Sequence, residues 1–395
     1  MTTATFENKA LLAAPIDAQA PASATMVEVA RKYGLSPIRQ MREMLALNVG
    51  PGKISLPEYI PLGLFDPEIP MADKKTYVGI RSSQKVNRDM SPADLVGSRF
   101  FLEDKVMYTA LLRQLGIPTT QTQAVASPDR LFGMIAALRD PAAVQRFLRQ
   151  DARYPIFAKP CSGFGSHGSA SLHGLEGDDL ILGNGRKVDL EAFSHEIFRD
   201  YPDGFVFQSA LQQHQTLSDV AGPAVGTLRV VTVRDSPDPQ VLYTVWKMPA
   251  PDAMSDNYWQ DGSIVAAVDG DGRLGRCHTG SGLSRRWIDK HPVSGVEFAG
   301  LQIPQWDEVQ KMARDGHALF PEFGIVGWDI AVTPDGPTVI ECNDIPYHGL
   351  YQLAFGRGFC NPDFMPVINR VSEYSNQMLT RRDDLQKARR KAARA

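Results

Sequence analysis

Apolar positions recur at helical spacing in the N-terminal part of this chain and at strand spacing over most of the rest. MVEVARKYGLSPIRQMREMLALN, residues 26–48, predicts two helices broken at Gly34-Leu35-Ser36-Pro37. LEDKVMYTALLRQLGIPTT, residues 102–120, sets Val106, Leu111, Leu112 and Leu115 on one helical face, with Gly116 and Pro118 placed to end it. Shorter pieces follow. YPIFAKP and SASLHGL read as strands flanking a glycine loop, LEAFSHEIFRD as a helix and GFVFQSAL as a strand. Beyond residue 213 the strands lengthen: GTLRVVTVR, QVLYTVWKM, SIVAAVD, IVGWDIAVT and PTVIECN. Between them QWDEVQKMARDGHALF brings Trp306, Val309, Met312, Ala313 and Leu319 near one helical face. No internal repeat and no coiled coil interrupts this order.

Composition then narrows the partners. A chain of 395 residues has room for two or three domains with a buried core, and 43% apolar with 22% charged residues is the balance of a soluble globular protein. A formal net charge of -3 gives no reason to expect nucleic acid, so an anionic ligand needs a local group of cations. Cys161, Cys277, Cys342 and Cys360 are scattered without metal spacing and read as free thiols in a reduced, cytoplasmic compartment. No apolar run reaches the roughly 18 residues of a membrane span. The Ala/Pro-rich residues 1–25 lack the build of a signal peptide and read as a disordered leader; RRDDLQKARRKAARA reads as a solvated basic tail, a polar helix or a frayed end.

Two stretches carry candidate chemistry. FAKPCSGFGSHGSASL, residues 157–172, holds Gly163, Gly165 and Gly168 in the order of a dinucleotide-binding fingerprint. That motif needs a helix directly after the loop, and here a strand follows. Two readings stay open: a phosphate cradle with Lys159 as its cation, or a plain hairpin with an incidental lysine. The other stretch is GWDIAVTPDGPTVIECND, residues 327–344. Thr333-Pro334-Asp335-Gly336-Pro337 predicts a three-residue hairpin loop centred on Asp335, which pairs Asp329 with Glu341 and Ile330 with Ile340. Asn343 then shares the carboxylate face, while Ile330, Val332, Ile340 and Cys342 form a core face. Two carboxylates about 5 Å apart repel by roughly 3 kcal/mol at an effective dielectric near 20. The counter-ion is either a hard cation, Mg²⁺ or Mn²⁺, or the guanidinium of Arg229.

Together these pieces resemble the ATP-grasp superfamily. The matching features are Glu103-Asp104-Lys105 at a helix start, FAKPCSGFGSHGS, FVFQSAL, TLRVVTV and the Asp329, Glu341, Asn343 set. The wording of GTLRVVTV, VAAVDGDG, HPVSGVEFAGLQIPQW and GWDIAVTPDGPTVIECND is most similar to the sugar-transfer-associated branch, which often includes a region like YGLSPIRQMREMLALNVGPGKISLPEYI. The resemblance implies an α/β (α+β) fold in which a small lobe with a glycine flap and a larger antiparallel-sheet lobe enclose ATP. On that reading residues 26–116 form an N-terminal region, 117–212 the small lobe, 213–380 the catalytic lobe and 381–395 the tail.

The resemblance also implies roles. Lys105 and Lys159 would contact phosphates, under a flap of Gly163, Gly165, Ser166 and Gly168. Gln208, Ala210 and Leu211 would line the adenine pocket; many relatives carry Glu where this chain has Gln208. No acid stands at the ribose position, which leaves His214 or Gln215 there. Arg229 would face the transferred phosphate, Lys247 and Asn257 would lie near the acceptor, and Asp329, Glu341 and Asn343 would hold the metal. The implied reaction joins a carboxylate to an amine or similar nucleophile through an acylphosphate, with release of ADP, on small-molecule or sugar-linked substrates. The alternatives are phosphoryl transfer to a hydroxyl, or a nucleotide-binding scaffold module. Oligomeric state is not implied.

Overall fold

The computed structural model describes residues 22–162, 168–251, 253–256, 262–280 and 282–393. It contains two seven-stranded sheets. The first is built from β1 (Thr122–Ala126), β2 (Ala136–Leu138), β3 (Ile156–Pro160), β4 (Ala170–Glu176), β5 (Asp179–Leu182), β6 (Lys187–Asp189) and β7 (Phe205–Ser209), in the order β2-β1-β7-β3-β4-β5-β6. The second is built from β8 (Thr227–Val233), β9 (Gln240–Met248), β10 (Ile264–Val268), β11 (Leu274–Thr279), β12 (Arg286–Ile288), β13 (Ile325–Thr333) and β14 (Gly336–Asn343), in the order β12-β11-β10-β9-β8-β13-β14. The strands of the second sheet pair antiparallel throughout; in the first, β1 and β2 are parallel.

Each sheet is a core wall. In the small lobe Phe147 and Phe193, from the helices Pro141–Gln150 and Leu190–Asp200, pack on Phe205 and Phe207 of β7. In the large lobe the helix Trp306–Ala318 covers one sheet face, where Val309, Met312 and Ala313 meet Trp246 and Trp328. Gly316 permits that contact, since a Cβ there would come within 2.9 Å of the Trp328 ring. Leu319, expected on the buried face, falls past the helix end and is partly exposed. The other face meets Leu350, Tyr351, Phe359 and Val371 from the C-terminal helices, and Val78 and Met90 from the N-terminal region.

The start of the chain differs from the reading of its composition, while the basic tail is the exposed helix that its composition allows. A helix begins at Ala22, inside the stretch read as a leader, and residues 1–21 lie outside the described residues. The helix Phe364–Ala392 runs through position 381 without a break, so the basic segment continues an element already anchored by Ile368 and Val371. The break at Gly34-Leu35-Ser36-Pro37 stands between helices Ala22–Tyr33 and Pro37–Val49, with the Ser36 side chain accepting from Arg39 N–H. The four cysteines are free; Cys161, Cys277 and Cys342 are buried.

The acidic hairpin differs in its loop from the sequence expectation. Thr333 pairs with Gly336, so the loop has two residues, Pro334 and Asp335, one fewer than its sequence suggests. A bulge at Ile340 then adds a residue back to β14. The two changes cancel, and Asp329 sits directly opposite Glu341. Ile330 faces Val339 instead of Ile340, and Val339 takes the core position. Ile340 turns out beside Glu341.

Candidate active site

A cleft of about 1050 Å³ lies between the two sheets. From the small lobe it takes Phe157, Lys159, Gln208, Ala210 and Leu211; from the large lobe it takes Thr227, Lys247, Asp329, Ile340 and Glu341. Lys105 also lines it, at the first turn of the helix Lys105–Gln114. Asp104 caps that helix, accepting from the N–H groups of Val106 and Met107 at 3.0 Å.

The cations and acids of the cleft are arranged in layers. Arg229 stands directly across β8/β13 from Asp329 and binds it in a fork, Nε to Oδ1 at 2.5 Å and Nη2 to Oδ2 at 3.0 Å. Lys247 adds a second contact to Asp329 Oδ2 at 3.1 Å and reaches Asp256 at 3.0 Å. Glu341 is paired with Lys105 at 3.0 Å. The repulsion expected between Asp329 and Glu341 is therefore offset by three protein cations. Burial alone would raise the Asp329 carboxyl, but Arg229 and Lys247 outweigh it and hold it well below the usual carboxylate range. Burial opposes charge on Arg229 and Lys247 as well; the Asp329 and Asp256 carboxylates overcome it and push both upward.

Lys159 is the exception. It is 5% exposed, and among the described residues its ammonium has no hydrogen bond or ion pair. Burial first, and the neighbouring Lys105 charge, lower it to about 8, against a partial pull upward from Glu341. Two further cleft residues carry buried oxygens without partners among the described residues, Gln208 Oε1 and Thr120 Oγ1. Unpaired buried polar groups are costly, and here they converge on one cavity.

The other expected residues fall as follows. Gly168 has φ +77°, and a Cβ there would meet the Tyr201 hydroxyl at 2.1 Å, so both backbone and space require glycine. Gly163, Gly165, Ser166 and Asn257 lie outside the described residues. His214 does not line the cleft. It caps the helix Gln215–Ala221, its Nδ1 accepting from Thr216 N–H, while its own N–H donates to Val332. Gln215 does line the cleft. The Ala210 N–H is spent on the Pro155 carbonyl. Asn343 sits opposite Gly327, and its amide nitrogen is buried without a partner.

Asp256 escaped the sequence reading. It accepts from Thr227 N–H and Oγ1 and binds Lys247, tying its loop to β8 and β9. An acid inside a Ser-Asp-Asn loop has no periodic signal that would single it out.

Asp329, Glu341 and the Asn343 amide oxygen form a donor set suited to a hard cation. The Asn343 amide nitrogen is buried without a partner among the described residues. Among the described residues no group of three or more His, Cys, Asp or Glu gathers as a metal site.

Among solved structures the chain is similar to D-alanine-D-alanine ligase from Coxiella burnetii, at 15% identity and TM-score 0.43, over 74% of this chain and 62% of that one. It is similar to N5-carboxyaminoimidazole synthase from Aspergillus clavatus at 12% identity and TM-score 0.34, over 62% and 45%. The ATP-grasp ligase PsnB, complexed with a precursor peptide and AMPPNP, gives 16% identity and TM-score 0.35, over 71% and 60%. The match thus spans less than two thirds of the length of each of these proteins. A comparison with curated proteins returns no match. The model of the sugar-transfer-associated ATP-grasp family matches residues 97–363, which include both sheets and every cleft residue named above, and the chain belongs to that family.

Proposed function

We propose that this protein is an ATP-dependent, ADP-forming ligase that joins a carboxylate to an amine or a similar nucleophile, with ATP bound in the cleft between the lobes. The observation that carries the reading is Lys159: a buried ammonium without a partner among the described residues, facing a cavity that also holds Lys105 and Lys247. A triphosphate supplies the anion that this group lacks. Gln208 Oε1, an unpartnered acceptor, suits the exocyclic amine of adenine, and Ala210 and Leu211 supply apolar surface beside it. Gln215 takes the ribose position in place of His214, whose imidazole is committed to the helix cap. Asp329, Glu341 and Asn343 would hold Mg²⁺ or Mn²⁺, and the metal would neutralise charge on the phosphates when bound.

The chain's own residues would do the rest. The acid substrate's oxygen attacks the γ-phosphorus and ADP leaves; the nucleophile then attacks the acyl carbon and phosphate leaves. Both steps need alignment and charge compensation more than a strong base. Lys159 and Lys105 would hold the phosphates, and Lys247, set between Asp329 and Asp256, would bring charge toward the acceptor side. Arg229 orients Asp329 through its forked contact. The test is a screen of acid and amine pairs for nucleotide release, read by mass spectrometry. ADP and free phosphate that appear only with both substrates are the expected result. AMP overturns the acylphosphate route, and a phosphorylated product without free phosphate would make the protein a phosphotransferase.

A further inference from the structure

We propose that the helix Pro37–Val49 is a docking face for an anionic membrane surface. Ile38, Met41, Leu45 and Val49 are 66%, 62%, 65% and 69% exposed. Their spacing of three, four and four residues draws one apolar stripe about 16 Å long down the helix. The opposite face is already spent: Gln40, Glu43, Met44 and Leu47 are buried. Val27 and Leu56, in the helices before and after, are also exposed.

The charge beside the stripe has one sign. Arg39 and Arg42 are the exposed charged residues of the helix. Its single acid, Glu43, is buried and held by Lys74 at 2.8 Å and the Tyr59 hydroxyl at 3.0 Å, with Arg39 at 3.3 Å. Arg42 has no ion pair among the described residues. Residues 22–60 carry Arg31, Lys32, Arg39, Arg42 and Lys53 against Glu28, Glu43 and Glu58, in a chain whose formal net charge is -3. An apolar stripe bordered by arginines matches a layer of acidic headgroups over acyl chains.

A second copy of the chain fits less well. A symmetric pairing along this stripe would bring the same arginines together, and one short stripe falls far below the roughly 20–30 residues a stable partner contributes. Among the described residues no helix is long and apolar enough to cross a membrane, so the contact is adsorption at the surface.

Flotation of the full chain with phosphatidylcholine vesicles containing about one third phosphatidylglycerol tests this. The chain should float with these vesicles and not with pure phosphatidylcholine. Ile38→Glu/Leu45→Glu should cut the floated fraction about tenfold and Arg42→Glu severalfold, with thermal unfolding unchanged because all three side chains are exposed. A wild-type chain that stays in the lipid-free fraction overturns the proposal. So does flotation that survives the double substitution, or light scattering that shows a dimer which the double substitution splits.

Discussion

At the scale of single residues, the energetics of the cleft turn on whether a buried charge has a partner. Asp329 has two, and Lys159 has none among the described residues. Replacing Lys159 with Met should therefore leave the fold as stable or more stable, since an uncompensated charge leaves the interior. The same change should weaken ATP binding by about 10- to 100-fold, the worth of a charge-assisted contact. Calorimetric titration beside a denaturant curve separates the two effects, and unchanged affinity would place Lys159 away from the phosphates. The pH dependence follows from its depressed value of about 8 against an ordinary 10.5. Below about pH 8 the group is charged in folded and unfolded chain alike, and the cost of burying it is present in full. As pH rises from about 8 toward 10.5 the folded chain sheds the proton first, and this cost declines. Nucleotide runs the opposite way, because an anion favours the charged form. Binding at about pH 8.5 should take up a proton, seen as a heat that changes with the buffer's ionisation enthalpy, and affinity should fall as pH rises through about 8.

At the scale of elements, the acidic hairpin shows how a correct pairing can come from a different path. Thr-Pro-Asp-Gly reads as a three-residue loop because glycine is the usual left-handed residue there. In the structure Gly336 is already a ladder residue, at φ +127°. The bulge at Ile340 restores the register, and it also puts Ile340 and Glu341 side by side in the cleft wall. Side-chain alternation has a period of two, so without the bulge the shorter loop would carry Glu341 to the core face. A Cβ on Gly336 would meet no atom within 4 Å, so Gly336→Ala tests backbone conformation alone. It should cost about 1–2 kcal/mol in urea unfolding, and a smaller loss would mean that the turn relaxes. The glycine loop is the second instructive element. The strand that follows it, β4, is legible from weak helix propensity after Gly168, and a strand there does not meet the dinucleotide fingerprint's need for a helix.

At the scale of the whole molecule, the N-terminal region is fastened to the end of the carboxylate strand. Arg99, in the helix Arg99–Glu103, pairs with Asp344, which directly follows Asn343. The same guanidinium donates to the Ser91 carbonyl and lies 5.7 Å from the Phe323 ring. Burial raises the Asp344 carboxyl, and Arg99 works against that rise. Arg99→Ala strands this acid without its partner, and should lower stability by about 3 kcal/mol in urea unfolding. A change below about 1 kcal/mol would show that the N-terminal region is held by its apolar contacts alone.

Periodicity determined the elements of this chain: the strands of both sheets that were read from runs such as TLRVVTV and VLYTVWKM stand where those runs are, as do the helices at 105–114, 190–200 and 306–318. Those signals are local, because each arises from alternation or a helical face within one stretch. Short strands such as β2, β5 and β12 left no such mark, being too brief to show a period. Only the tertiary structure decided which charges meet. Arg229 and Asp329 are 100 residues apart, and Lys105 and Glu341 are further apart still. The Arg229–Asp329 pair needs β8 beside β13, and the Lys105–Glu341 pair needs the bulge that turns Glu341 into the cleft. The same assembly leaves Lys159 buried and, among the described residues, unpaired, because burial and the meeting of distant charges arise only on folding.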